Sequence, residues 1–251
     1  MEQINEFKNS AETGEFKKEN NSFRFFKIIK GYIILFLFTS ILETLILRFI
    51  PPAYTPLMII RALEKLADYR PPSFSYQYKP LGNISDKMKL AVIASEDQNF
   101  PNHFGVDFKE IQKAYKSSKK NGRKKLRGAS TISQQVAKNV FLIPSRSFIR
   151  KGLELYYTLL IEVFWGKKKI LETYLNVAEM GEGIYGAEAA SIKYFKKPSL
   201  KLTKSESASL AAVLPSPRQY SVKNPSSYIL KRRSWIRNQM NSLGNRYIQK
   251  L

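Results

Sequence analysis

The chain has 251 residues and carries 42 Lys and Arg against 20 Asp and Glu, a formal net charge of +22. The absence of cysteine excludes disulfides, thiolate nucleophiles and cysteine-ligated zinc, and the single histidine, His103, argues against a histidine-rich metal site or a Ser-His-Asp triad. The positive charge indicates an anionic partner, which could be nucleic acid, a membrane surface or a phosphorylated substrate.

The first strong pattern is the apolar run "GYIILFLFTSILETLILRFI" at residues 31–50. At about 1.5 Å per residue, this run is long enough to cross a hydrocarbon core of about 30 Å. Three basic residues between positions 24 and 30 predict a cytoplasmic N-terminus, and no A-x-A cleavage pattern follows the run. We therefore expect a cytoplasmic tail at residues 1–27, loose up to residue 23, and an uncleaved transmembrane anchor at residues 28–50.

Residues 51–251 hold 35 Lys and Arg against 14 acids, so this part of the chain is strongly basic. With a cytoplasmic N-terminus it would lie outside the cytoplasmic membrane, because long domains cross largely regardless of charge. That location argues against nucleic acid as the partner. It also provides no ready ATP, so a group-transfer reaction there needs a donor that is already activated.

The remaining elements are predicted from helical period and turn residues. We expect a juxtamembrane segment and linker at residues 51–80, and one domain at residues 81–251. Further helical segments are predicted at residues 86–96, 106–117, 130–140, 148–165, 167–180, 187–195 and 204–214. A basic loop at 117–128 and a glycine loop at 181–186 interrupt them, and no strand series stands out. The fold class is therefore mainly α.

Two segments in this order carry candidate chemistry. In "AVIASEDQNFPNHFG" (91–105), a predicted apolar helix ends on Glu96 and Asp97, although acids are scarce in the chain. In "RGASTISQQVAKN" (127–139), a glycine turn leads into a helix start, where free backbone N–H groups and the helix dipole favour an anion. Its polar side chains are Ser130, Thr131, Gln134, Gln135 and Lys138.

Two further segments complete the set. In "RSFIRKGLE" (146–154), Arg146, Arg150 and Glu154 are spaced four apart and so lie on one helical face. The last, "KKKILETYLN" at 167–176, has the pattern of a scaffold helix.

Taken together, the four segments resemble the peptidoglycan glycosyltransferases, and most closely the monofunctional biosynthetic transglycosylases. Those families show E-D-x-x-F-x-x-H-x-G, G-x-S-T-x-x-Q-Q, R-K-x-x-E and I-L-E-x-Y-L-N in this order. Here the patterns stand at residues 96–105, 128–135, 150–154 and 170–176, and the likeness covers roughly residues 55–225. One small departure is Ser133, where threonine is common, and it keeps the hydroxyl.

The resemblance implies a lysozyme-like domain on the outer, periplasmic side of the bacterial inner membrane, working in cell-wall synthesis. Its substrates would be lipid II and the growing glycan strand, which is transferred from its polyprenyl diphosphate to the 4-hydroxyl of lipid II. The new bond would be β-1,4, with inversion. No cofactor would be required, although a divalent cation such as Mg²⁺ could assist. Membrane lipids and other cell-wall synthesis proteins would be partners, and nucleic acid would not.

The resemblance also implies the roles of single residues. Glu96 would be the general base, because a sugar hydroxyl is a poor nucleophile and must lose its proton during attack. Lys138 and Arg146 would hold the donor diphosphate, whose charge grows as it leaves. Glu154 would be the second essential carboxylate, orienting basic side chains or the donor. The other substrate-binding residues would be Ser130, Thr131, Gln134, Gln135, Arg150, Lys151, Asp97, Phe100 and His103.

Other interpretations stay open at this stage. A lysozyme-like muramidase would use Glu96 as an acid, and it predicts a raised Glu96 pKa in an apolar pocket. A non-enzymatic, membrane-anchored basic module would need positive charge but no particular carboxylate. Taken alone, His103 fits a structural loop residue, and Glu154 could serve only as the helix partner of Arg150.

Overall fold

The structure, a computed structural model, describes four segments of the chain and divides into two compact units. The described segments are residues 2–71, 74–120, 130–145 and 147–251. The first unit ends at Leu47 and the second begins at Arg48.

Within the described segments there are ten α-helices and three short strands. The helices are α1 (Glu2–Phe49), α2 (Pro56–Ala67), α3 (Asp86–Glu96), α4 (Phe108–Lys120), α5 (Ile132–Phe141), α6 (Phe148–Phe164), α7 (Gly166–Val177), α8 (Gly186–Phe195), α9 (Lys204–Val213) and α10 (Ser227–Leu243). The strands are β1 (Ser75–Tyr76), β2 (Glu179–Gly181) and β3 (Ile184–Tyr185). This architecture confirms the predicted mainly α fold.

Helix α1 contains an apolar stretch, Arg24–Phe49, that is long enough for one membrane span. The hydroxyls of Thr39 and Thr44 donate to carbonyl oxygens four residues earlier, so these polar groups are satisfied within the apolar stretch. The prediction of a loose tail up to residue 23 is wrong in this structure, where the helix begins at Glu2. The tail has no proline and is rich in Glu and Lys, which favour helix.

Helix α3 lies at the centre of the second unit, and its residues from Met88 to Ala94 are all buried. It packs against α9 and α10, where small side chains allow close approach. The shared core consists of Leu90, Ala91, Ala94, Ala208, Ala211, Ala212, Val213, Ile229, Ile236 and Met240. Because α3 is enclosed on several sides, its C-terminal end is held on rigid backbone.

The small sheet has the order β1-β3-β2, with β1 parallel and β2 antiparallel to β3. Strands β2 and β3 form a hairpin in the segment predicted as a glycine loop, because Gly183 adopts a φ of +68° at the turn. At the start of α8, Gly186 has a φ of +81°, and a Cβ there would lie 2.4 Å from the Asn176 carbonyl oxygen. Only glycine, which has no Cβ, therefore fits at position 186 against the Asn176 backbone.

Helix α7 anchors the end of the linker. The Glu172 carboxylate accepts hydrogen bonds from the Tyr78 hydroxyl (2.5 Å) and the Leu81 backbone N–H (2.8 Å). The Asn176 amide exchanges two hydrogen bonds with the Lys79 backbone, at 2.7 and 2.9 Å. This part of the "ILETYLN" segment therefore ties residues 78–81 to α7, which agrees with its predicted scaffold role.

Candidate active site

Glu96 is the last residue of α3, and its side chain is held by two neighbours from distant parts of the chain. The Gln135 side-chain amide donates to Oε2 at 3.0 Å, and the Arg232 guanidinium donates to Oε1 at 3.3 Å. The Tyr174 hydroxyl donates to the Gln135 amide oxygen at 3.3 Å, which orients that amide toward Glu96. These contacts hold the carboxylate in one position, and its side chain remains 13% exposed.

Burial raises the pKa of Glu96 above its ordinary value. The hydrogen bond from Gln135 and the charge of Arg232 act in the opposite direction, and the Asp97 charge adds to the rise. The charge of Arg232 favours the ionised form, but desolvation is the larger effect. A raised pKa was also the feature expected of the muramidase, so this property alone does not separate the two reactions.

Asp97 is buried and joins two segments. Its Oδ2 accepts a hydrogen bond from the backbone N–H of Ile132, at the start of α5, at 3.0 Å. His103 Nε2 lies 3.0 Å from both carboxylate oxygens. The rings of Phe100 and His103 meet edge to face, with their centroids 6.2 Å apart. This arrangement fixes the loop after α3 to the start of α5.

The resemblance implied that Phe100 and His103 bind substrate, and in the structure both side chains are largely enclosed. Phe100 is fully buried and the His103 side chain is only 6% exposed. Neither is among the described residues that line the two cavities discussed below. Their observed contacts are ring packing and hydrogen bonding inside the loop, and the Lys167 ammonium lies 4.6 Å from the centre of the Phe100 ring.

The start of α5 is closed by a capping box. The Thr131 hydroxyl accepts from the Gln134 backbone N–H at 3.2 Å, and the Gln134 side-chain oxygen accepts from the Thr131 N–H at 3.1 Å. The Thr131 hydroxyl also donates to the Gly105 carbonyl at 2.5 Å. Gln134 is thus buried and engaged in capping, whereas its neighbour Gln135 reaches Glu96.

A first cavity of about 430 Å³ has cations in its wall. The described residues lining it include Arg61, Gln135, Lys138, Asn139, Arg150, Tyr174, Glu179 and Pro215. The Lys138 side chain lines this cavity, and it forms no ion pair with any described residue. The surrounding protein lowers the Lys138 pKa, first by desolvation and then by repulsion from Arg150 and Lys151, against the attraction of Glu154.

Glu154 lies buried below these cations. Its carboxylate accepts from Arg150 at 2.7 Å and also pairs with Lys151. These ion pairs are compatible with a carboxylate that orients basic side chains and equally with a simple helix partner of Arg150, so the role of Glu154 stays a prediction. Arg146 and Gly128 lie outside the described residues, as does most of the predicted basic loop.

A second cavity, of about 520 Å³, is lined by Glu96 itself. Its other described lining residues include Asp97, Asn99, Asp107, Lys109, Glu110, Lys113, Ser130, Thr131 and Trp235. Gln135 lines the first cavity and Glu96 lines the second, so the hydrogen bond between these two side chains connects the walls of the two cavities. The candidate base therefore stands between a cavity with cations and a polar cavity.

Sequence reasoning missed three residues of this site. Arg61 on α2 lines the first cavity, Trp235 on α10 lines the second, and Arg232 on α10 pairs with Glu96. Ser226 caps α10, and its apolar residues 229, 236 and 240 share one face, a pattern that could have predicted the helix. Neither the cap nor the apolar face indicates which element α10 packs against. Among the described residues, no group of three or more His, Asp or Glu side chains is arranged to hold a metal ion.

Comparison with known proteins agrees with this architecture. The protein family described as Transglycosylase matches residues 64–241. A biosynthetic peptidoglycan transglycosylase of Pseudomonas fluorescens is 47% identical over 220 residues, covering 88% of this chain and 90% of its own length. Proteins with the same description from Xanthomonas campestris (49% over 212 residues, 84% and 85%) and Mannheimia succiniciproducens (47% over 240 residues, 94% and 96%) are also similar.

A mainly α, lysozyme-like domain with a buried carboxylate beside a cation-lined cavity defines a class of glycosyltransferases. The chain belongs to the transglycosylase family, whose members polymerise peptidoglycan glycan strands for the cell wall. This confirms the predicted fold, enzyme class and polymerase function, with lipid II and the glycan strand as substrates. The muramidase and the non-enzymatic module are no longer needed to explain the chain.

Proposed function

We propose that Glu96 is the general base of glycan-strand transfer. It takes the proton from the 4-hydroxyl of lipid II while that oxygen forms a bond to the anomeric carbon of the growing strand. The anomeric carbon–oxygen bond to the diphosphate breaks, and the polyprenyl diphosphate leaves with the electron pair. The attack comes from the face opposite the leaving group, so the α-linked donor gives a β-1,4 product.

The main support for this proposal is the position of Glu96 between two cavities of different charge. The donor diphosphate fits the first cavity, where Lys138 and Arg150 offer cations to its oxygens and Arg146 follows the lining residues Pro144 and Ser145 in the chain. The acceptor fits the second cavity, where its hydroxyl can reach the Glu96 carboxylate.

The raised pKa of Glu96 suits a base as well as an acid. A stronger base accepts a proton more readily from a hydroxyl, provided that it is ionised at the working pH. Arg232 and Gln135 limit the rise by stabilising the carboxylate. Lys138, whose pKa is lowered in the free protein, would gain stability in its charged form beside a diphosphate.

The proposal includes a topology and domain plan. The apolar stretch of α1 anchors the chain in the inner membrane at residues 28–50, with residues 1–27 in the cytoplasm. Residues 51–80 link the anchor to the glycosyltransferase domain at residues 81–251, on the periplasmic side. Membrane lipids and other cell-wall synthesis proteins would be its partners there, and Mg²⁺ could assist at the diphosphate without a dedicated protein site.

The test is the Glu96→Gln variant of the full chain, incubated with labelled lipid II in detergent. Gln keeps the size and hydrogen bonding of Glu but accepts no proton, so we expect no polymer from a protein that still binds lipid II. Glu182→Gln is the matched control and should polymerise normally, since Glu182 is an exposed acid that is not among the described residues lining either cavity. Circular dichroism checks the fold. Substantial polymer from a folded Glu96→Gln protein would refute the assignment, and short hydrolysed fragments from the unmodified chain would favour the muramidase.

A further inference from the structure

Helix α10 presents two neighbouring faces to α3. Its buried face consists of Ile229, Ile236 and Met240. Beside this face, Arg232 donates to Glu96, and the Gln239 side-chain oxygen accepts from Gln98 at 3.2 Å. Trp235 is three residues after Arg232 and four before Gln239, so it lies on the same side of the helix. This side of α10 therefore faces the end of α3 that carries the base.

Trp235 is 45% exposed, although it lies beside the central helix of the domain. It lines the second cavity and is the one aromatic side chain among the described residues that do so. The rest of the lining is mostly charged or hydrogen-bonding, with Asp97, Asp107 and Glu110 among its acids. A large apolar ring in a polar cavity is a feature that favours a ligand with both an apolar face and polar edges.

We propose that Trp235 is a stacking platform for the acceptor sugar ring that carries the 4-hydroxyl. This inference rests on the proposed function, in which the acceptor occupies the second cavity. A pyranose ring with equatorial substituents presents axial C–H groups on its faces and hydroxyls around its edge. Its C–H face packs on the electron-rich face of the indole, while the edge hydroxyls meet the polar lining.

The same helix would then position both reacting partners. Arg232 holds the Glu96 carboxylate, and Trp235 holds the ring whose hydroxyl must reach that carboxylate. Because one turn of rigid helix separates the two side chains, their relative position is fixed before the substrate binds. A lipid tail is less compatible with these surroundings, since the charged and hydrogen-bonding side chains of the cavity disfavour hydrocarbon.

The experiment uses two analogues, so that each substrate can be varied alone. A 4-deoxy lipid II donates but cannot accept, because it lacks the attacking oxygen. A lipid II with a methylene group in place of the anomeric oxygen accepts but cannot donate, because its anomeric carbon–carbon bond does not break. Single transfer between them is measured for the unmodified chain and for Trp235→Ala, Trp235→Phe and Leu230→Ala. Leu230 is the control, since it is exposed on α10 but is not among the described residues lining the cavity.

For Trp235→Ala we expect the KM of the accepting analogue to rise about tenfold, with the donor KM and the kcat little changed. Trp235→Phe should recover most of the affinity, and Leu230→Ala should behave like the unmodified chain. An unchanged acceptor KM in a folded Trp235→Ala protein overturns the inference. Weaker binding of that variant to phosphatidylglycerol vesicles, with the acceptor KM unchanged, would indicate a lipid contact instead.

A second pattern of results identifies a different failure. If Trp235→Ala raises the KM of the donor instead, the two cavities have been assigned to the wrong substrates, and the substrate placement in the proposed function fails with the inference. If the acceptor KM is unchanged while Glu96→Gln remains inactive, the stacking inference fails and the assignment of the base stands.

Discussion

The ion pair between Arg232 and Glu96 gives the most direct test of the site's electrostatics. Replacing Arg232 by Gln removes the positive charge and leaves a side chain that can still donate a hydrogen bond. At 3.3 Å, Coulomb's law gives about 5 kcal/mol at an effective dielectric constant of about 20, and about 1.3 kcal/mol in bulk water. Both side chains keep some exposure, 19% and 13%, so solvent screening favours the lower part of this range.

We therefore expect the pKa of Glu96 to rise further, with a free-energy change in the lower part of that range. The direction follows from the charge, because losing a cation destabilises the carboxylate and so favours its protonated form. A base works only when ionised, so the acidic limb of the kcat/KM profile should move to higher pH by the same amount. Activity above the shifted limb should be largely retained.

The assay is the initial rate of polymer formation from labelled lipid II in detergent, at limiting substrate, between about pH 5 and pH 9. Arg232→Lys keeps the charge and should leave the limb close to its original position. Arg237→Gln is the matched control, since it removes one charge from an exposed position on the same helix. An acidic limb that does not move in Arg232→Gln, or that moves equally in Arg237→Gln, would refute the reasoning.

Two other predictions concern the donor site and the topology. Lys138→Ala should lose about 2–4 kcal/mol of transition-state stabilisation in polymerisation while the protein stays folded, by analogy with the loss of an oxyanion donor. Lys193→Ala is the control, since Lys193 is exposed, and it should leave polymerisation unchanged. If a folded Lys138→Ala protein polymerises lipid II at the wild-type rate, Lys138 is an ordinary surface charge with no role at the donor site. Protease added to intact spheroplasts should digest the domain after residue 51, and protection of that domain would contradict the proposed orientation.

Much of the local structure could be predicted because it depends on residues close in sequence. The period of apolar residues placed α5 and α7 within a few residues of their observed bounds, and Thr131 with Gln134 forms a capping box three residues apart. Turn geometry was harder to predict. The glycine-containing segment at 181–186 became a hairpin because β2 and β3 pair with each other and β3 also pairs with β1, which lies about 100 residues earlier.

The sequence alone also determined the candidate base and its class of reaction, because four ordered motifs place Glu96, Lys138 and Glu154 in a recognisable pattern of residue types. Only the tertiary structure decided the surroundings of that base. Arg232 lies 136 residues beyond Glu96 and meets it through the packing of α10 against α3. The pKa of Glu96 is raised because the folded protein buries its carboxylate. The elements that bury it are distant in sequence, and no local pattern shows that they meet. Charge and helical period can be read along a chain, whereas desolvation and long-range contacts exist only after the helices have packed.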